Sequence, residues 1–126
     1  MSMTDLDVTI LEELVDLYPV EGIELVRDLV RIFFDEAPDR MSRMRDGLSQ
    51  QDSTKVYQAA HAMRGGGASL GAVGLARACA RIEHQARAGN LTGLATDLAA
   101  IAGDLPALEE CILSLINRWE TAQASA

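Results

Sequence analysis

Aromatic side chains make up only 4% of the 126 residues, and Val, Ile, Thr and Tyr never gather into alternating runs. Strands therefore have almost no signal, and helices are expected throughout. No apolar stretch approaches the roughly 20 residues of a membrane span, and Met1 to Ile10 has neither the basic start nor the apolar run of a secretory signal. These features predict a cytoplasmic protein that does not enter a membrane. Basic residues are scarce, 11 Lys and Arg against 19 Asp and Glu, for a formal net charge of −8. That balance argues against nucleic acid, whose phosphates need a concentrated basic surface, and favours a protein partner. Cys79 and Cys111, the only cysteines, form no metal spacing, and each is expected to pack in a helix as a small hydrophobe. No Glu-x-x-His pair suggests a metal in a bundle core, so no metal ligands are assigned.

What is present is a chain with 48% hydrophobic residues, enough for one core over residues 1–126. Thr4 or Asp5 can cap a first helix carrying Leu6, Ile10, Leu14 and Leu17, which Tyr18-Pro19 stops. From Glu21, Ile23, Val26, Val30, Phe33 and Phe34 mark a second helix that Pro38 is expected to interrupt or kink before Met41, Met44 and Leu48. Asp52-Ser53-Thr54 reads as the capped start of a third helix ending near Gly71. Leu75, Cys79, Ile82 and Ala86 form the stripe of a fourth, with Glu83 and Arg87 expected as an i,i+4 ion pair on its flank and Gly89-Asn90 as its stop. Leu91 opens a last segment that, with Leu94, Leu98, Ile101, Leu105, Leu108, Ile112, Leu115 and Trp119, reads as one long helix or two joined near Pro106, followed by a frayed tail over residues 120–126. The short connections predict an all-α fold, an antiparallel four-helix bundle with a short additional N-terminal helix, expected to be a monomer.

The candidate chemistry lies on the third helix, which reads His61-Ala62-Met63-Arg64-Gly65-Gly66-Gly67. Wound at about 100° per residue, Val56, Ala60, Met63, Gly67 and Leu70 share one face, and Thr54, Tyr57, His61, Arg64, Gly65 and Ala68 the opposite one. An exposed imidazole is partly neutral near neutral pH without activation and can accept a phosphoryl group. One turn on, Arg64 offers a fixed positive fork for phosphoryl oxygens, while Gly65 removes the side chain that would stand beside His61. Three glycines inside a helix cost roughly 1 kcal/mol each against Ala. Close approach by a partner at Gly65 and by a neighbouring helix at Gly66 and Gly67 would explain them; the plainer alternative is that they end the helix. They form no nucleotide loop, since they follow no strand and no P-loop lysine appears.

At these residues the chain resembles the histidine-containing phosphotransfer (HPt) domains of multistep phosphorelays, whose site helix reads His-x-Leu-Lys-Gly followed by small residues. The resemblance continues through Ser69-Leu70-Gly71-Ala72, Leu75, Cys79, Ile82-Glu83, Arg87 and Gly89, and more weakly to Phe33, Phe34 and Pro38. Arg64 replaces the usual lysine, keeping charge and changing geometry, and Met63 replaces the usual leucine. The resemblance implies a phosphorelay intermediate rather than an enzyme. His61 would accept a phosphoryl group from a receiver aspartyl phosphate or a sensor or hybrid histidine kinase and pass it to a receiver aspartate. Arg64 would stabilise the group, Thr54, Tyr57, Gly65 and Ala68 would meet the partner, and Mg²⁺ would come with the receiver, none being intrinsic. His84 lacks the arginine-glycine pair that follows His61 and is expected to be an ordinary surface residue. A helical adaptor that is never phosphorylated is the alternative from another class.

Overall fold

The computed structural model describes residues 2–125 and contains five helices: α1 (Thr9–Leu17), α2 (Gly22–Ser49), α3 (Ser53–Ser69), α4 (Val73–Arg87) and α5 (Leu94–Ala124). Helices α2 to α5 pack in sequence, and α2 against α5 closes the ring, with α1 laid on α2. Contacts set the directions. Arg27 near the start of α2 bonds Asn117 and Glu120 near the end of α5, Gly47 and Gly66 of α2 and α3 face Val56 and Phe33, and Gly67 of α3 faces Leu75 of α4. Each of these neighbouring pairs is therefore antiparallel, as the short connections require.

The core follows the helical stripes. Val26, Val30, Met41, Met44, Val56, Ala60, Met63, Leu75, Cys79, Ile82, Leu98, Ile101, Leu108, Ile112 and Ile116 are all buried, and among the described residues no polar or charged residue is. Burial pushes the Cys79 thiol up to about 12, with Glu83 adding to the shift. Cys111, in contrast, is exposed: it falls on the outer side of α5 beside the inward Ile112, so the expectation of core packing holds for one cysteine only. No helix among the described residues is long and apolar enough to cross a membrane.

Three boundaries depart from the sequence expectation. Helix α1 begins at Thr9 rather than after Thr4 or Asp5, because the preceding backbone is committed elsewhere. The Asp7 N–H donates to the Gly71 carbonyl at 2.7 Å, the Gly74 N–H donates to the Asp5 carbonyl at 3.3 Å, and Asp7 Oδ1 accepts from the Thr9 N–H at 3.1 Å. The later start turns the buried stripe to Leu11, Leu14 and Val15 and leaves Ile10 and Leu17 exposed. Helix α2 runs through Pro38 without the expected interruption, whereas α5 takes the first of its two expected forms, one helix through Pro106. Both prolines are exposed, and each removes only one helical bond, while the apolar stripe continues on the inner side. The polar stretch expected to fray is helical as far as Ala124, and Ala126 lies outside the described residues.

The turn between α3 and α4 fixes where the site helix ends. Gly71 has φ +74°, a conformation in which a Cβ is strained, and a Cβ there would also collide with the Asp7 carbonyl. Gly71→Ala should therefore destabilise the protein by at least about 1–3 kcal/mol, read as a lower denaturation midpoint with an unchanged denaturant slope. A midpoint equal to wild type would show that the N-terminal strap does not hold this turn.

Candidate functional site

Helix α3 is launched by Asp52, whose Oδ1 accepts the Lys55 N–H at 3.1 Å, the capping role expected from the sequence. It continues to Ser69, so all three glycines lie inside it and none terminates it. Their surroundings differ. A Cβ on Gly67 would press on Leu75 at 3.3 Å and one on Gly66 would touch Phe33 at 3.6 Å, whereas one on Gly65 would meet nothing within 4 Å. Gly65 thus leaves open surface beside His61.

The two faces divide as the winding requires: Val56, Ala60, Met63, Gly67 and Leu70 are buried, and Thr54, His61, Gly65 and Ala68 are exposed. The His61 side chain is 57% exposed and that of Arg64 40%. Thr54 and Ala68 lie two turns from His61 in opposite directions, roughly 10 Å along the axis. Tyr57 is half-buried rather than presented freely, its ring stacked on that of His61 with centroids 5.8 Å apart and planes 19° from parallel.

The group that the sequence did not reveal as part of the site is Glu83. Its Oε1 lies 2.8 Å from His61 Nδ1, and its Oε2 accepts from Arg64 Nε at 2.5 Å, with Arg64 Nη2 3.3 Å from Oε1. The expected Glu83–Arg87 ion pair is therefore not formed. Glu83 turns toward α3, and Arg87 donates from Nη2 to the Tyr57 hydroxyl at 3.1 Å, its guanidinium carbon 5.2 Å from the ring centroid. The reason is geometric: the flank of α4 faces α3 here, and two cationic or donor groups on α3 compete successfully with one flexible arginine a turn away on a solvated surface.

Charge decides the tautomer. The side chain of Glu83 is 12% exposed, and its burial raises the carboxyl pKa, but hydrogen bonds from Arg64 and His61 and their charges outweigh this and hold it below its ordinary value. The same pairing raises Arg64. An ionised carboxylate at 2.8 Å accepts only, so Nδ1 must carry hydrogen. A protonated Nδ1 cannot also accept from Arg64 Nη2, 3.2 Å away, which makes that approach a contact and leaves Nη2 to bond Glu83. In the neutral ring, Nε2 then holds the lone pair at the opposite edge.

Beside this face, Leu29, Ile32 and Phe33 of α2 and Ala62, Met63 and Gly66 of α3 line a mostly apolar groove of about 180 Å³. Leu25, Leu29 and Ile32 remain exposed on α2 although large and apolar. Among the described residues no cluster of His, Cys, Asp and Glu has the makings of a metal site.

A four-helix bundle that presents a solvent-facing imidazole backed by a carboxylate and flanked by an arginine and a bare glycine has the form of a phosphohistidine carrier. Residues 28–116 match the Hpt domain family, and the chain belongs to that family: it is a phosphotransfer intermediate of two-component phosphorelays. Such domains are phosphocarrier modules rather than kinases, and they work with histidine kinases and receiver domains. The fold is similar to that of histidine-containing phosphotransfer protein B from Pseudomonas aeruginosa, with TM-score 0.73 and 23% identity over 90% of this chain and 95% of that one. It is also similar to the HPT domain of a sensor hybrid histidine kinase from Shewanella, with TM-score 0.66 and 15% identity over 93% of this chain and 97% of that one. No curated protein is similar enough in sequence to match.

Proposed function

We propose that His61 is the phosphoryl acceptor of this phosphorelay domain, and that Nε2 is the reacting atom. The observation that carries the reading is the 2.8 Å approach of Nδ1 to Glu83, which assigns the proton to one ring nitrogen and the lone pair to the other. In transfer from an aspartyl phosphate, the Nε2 lone pair attacks phosphorus opposite the departing carboxylate oxygen. The N–P bond forms, the P–O bond breaks, and its electron pair leaves on the aspartate. No proton has to move. Nδ1 keeps its hydrogen, the ring becomes cationic, and the Glu83 carboxylate compensates a charge that was absent before reaction, which is the condition for helping the transition state rather than only the ground state. Passing the group on to a second receiver reverses the same steps.

Arg64 is the proposed phosphoryl-stabilising residue. Its pairing with Glu83 occupies Nε and Nη2, so Nη1 can still turn outward, something a lysine in the same pairing could do less well with one nitrogen. Thr54, Gly65 and Ala68 are proposed to meet the receiver, joined by the apolar groove between α2 and α3. The receiver would bring Mg²⁺, and the domain would act in the cytoplasm as a monomer without kinase activity of its own. In-line phosphoryl transfer requires mainly positioning and charge compensation, which a rigid helix face supplies.

Incubation with phosphorylated receivers and Mg²⁺ should place acid-labile, alkali-stable phosphate on this chain. Receiver binding without any label would instead favour a non-phosphorylated adaptor.

The role of Glu83 has its own test. Charge-assisted hydrogen bonds contribute about 1.5–3 kcal/mol, so loss of one that strengthens in the transition state should slow transfer roughly tenfold to a hundredfold. Glu83→Ala should show that loss, and Glu83→Gln, which keeps an acceptor without the charge, should fall between it and wild type. Stability should move with pH in a definite direction. Because the folded-state carboxyl lies below its ordinary value, its stabilising contribution is complete above the unfolded-state pKa and is lost as pH falls through the folded one. Glu83→Gln should flatten that acid segment of the stability curve, and an unchanged acid segment together with a wild-type transfer rate would exclude the pairing.

A further inference from the structure

The bond to Glu83 fixes one atom of the His61 ring, and one atom does not fix a plane. The terminal torsion of a histidine has a broad, roughly two-fold potential, so a ring tethered only at Nδ1 can still swing. A second constraint is present. Tyr57, one turn before His61 on α3, lies with its ring centroid 5.8 Å from the imidazole and its plane 19° from parallel, within the range of stacked aromatic pairs. Tyr57 is in turn held from the next helix: Arg87 Nη2 donates to the phenol oxygen at 3.1 Å, and the guanidinium carbon lies 5.2 Å from the phenol centroid. Glu83 and Arg87 stand one turn apart on α4.

We infer that Tyr57 is a positioning residue for phosphotransfer: held by Arg87, it sets the plane of the His61 ring so that Nδ1 stays on Glu83 and the Nε2 lone pair stays aimed outward. This rests on His61 being the acceptor. Helix α4, which carries no reacting group, thereby orients the nucleophile twice, directly through Glu83 and indirectly through Arg87 and Tyr57. The arrangement matters because a reacting pair must meet at roughly 3–3.5 Å with its orbitals aligned, and a ring free to swing spends less time in that geometry.

The test separates positioning from packing and from partner contact. In the unphosphorylated protein, ¹⁵N NMR of the His61 side chain reports which ring nitrogen carries hydrogen, independently of any transfer. Tyr57→Leu should shift that equilibrium away from the Nδ1–H form and lower the maximal transfer rate at saturating receiver about tenfold, with little change in the receiver concentration at half-maximal rate. Tyr57→Phe keeps the stack and loses the phenol oxygen. It should retain most of the Nδ1–H form and of the rate, rescuing the leucine variant, and Arg87→Gln should resemble it. Thermal melting identifies any variant that fails to fold, and the phenylalanine and glutamine variants still decide if leucine is not tolerated, because each should then show a measurable decrease in the Nδ1–H form. Unchanged ¹⁵N signals in every folded variant would overturn the inference, as would a loss confined to receiver affinity. If wild-type His61 takes no phosphate at all, the acceptor assignment fails, and the NMR comparison still shows whether Tyr57 orients the ring.

Discussion

His61→Gln should abolish phosphate labelling, while His84→Gln should be labelled as wild type. Both histidines are exposed, so exposure does not distinguish them. Their surroundings do. His61 has a carboxylate that fixes its protonated nitrogen, an arginine one turn on, and a glycine whose missing side chain leaves the approach open. The carboxylate next to His84 in sequence, Glu83, is turned away and committed to His61 and Arg64. Glutamine is close to histidine in size and can still donate to Glu83, so neither variant should lose more than about 0.5 kcal/mol of stability, as is usual for surface substitutions. The loss of label would then be chemical and not a consequence of unfolding. The measurement is radiolabel or intact mass after incubation with one phosphorylated receiver, and label persisting on His61→Gln would mean that another residue accepts the group.

Gly65→Leu should keep or raise stability and still lower transfer about a hundredfold. The site is helical and exposed, and a Cβ at Gly65 would have nothing within 4 Å, so leucine should raise stability by about 0.5–1 kcal/mol through helix propensity alone. Its side chain would nevertheless stand one turn from His61 on the face that the receiver must cover, and a misplacement of about 1 Å is enough for a loss of that size. Gly66 and Gly67 would behave differently. There a side chain meets Phe33 or Leu75, so substitution should reduce stability before it affects docking. Arg64→Ala provides a contrast at the site itself, since it leaves the surface open and removes charge. Transfer should weaken through poorer phosphoryl stabilisation and through a Glu83 carboxylate left with one partner instead of two. Pairing the melting temperature with the transfer rate for each variant separates these causes. A wild-type rate for Gly65→Leu would show that close approach is not the reason for that glycine.

The receptive face of α3 is legible in the sequence because it depends on local winding: a 100° step per residue places Val56, Ala60 and Met63 opposite His61 whatever the neighbouring helices do. The same reasoning is less reliable for α1. There the stripe turns because residues before Thr9 bond to the α3–α4 turn, a long-range commitment that no local period records. Proline chemistry taken alone likewise predicts an interruption at Pro38 and leaves one helix or two open at Pro106, but each proline falls on the outer side of a helix whose inner stripe remains packed.

The residues around His61 show the same division. Composition and periodicity in the sequence determined an all-helical bundle, and the spacing of His61, Arg64 and Gly65 determined that they share an exposed face, because both follow from covalent order and the helical repeat. Only the tertiary structure decided that Glu83 belongs to His61 and Arg64, and that Arg87 belongs to Tyr57. His61 and Glu83 stand equally far on either side of Ala72, and so do Tyr57 and Arg87, but that symmetry becomes contact only when α3 and α4 fold antiparallel in one register. Within α4 alone, Glu83 and Arg87 are separated by one turn and attract each other weakly in water. Packing against α3 removes much of that water from Glu83 and offers it two donors at once, which outweighs the local pair.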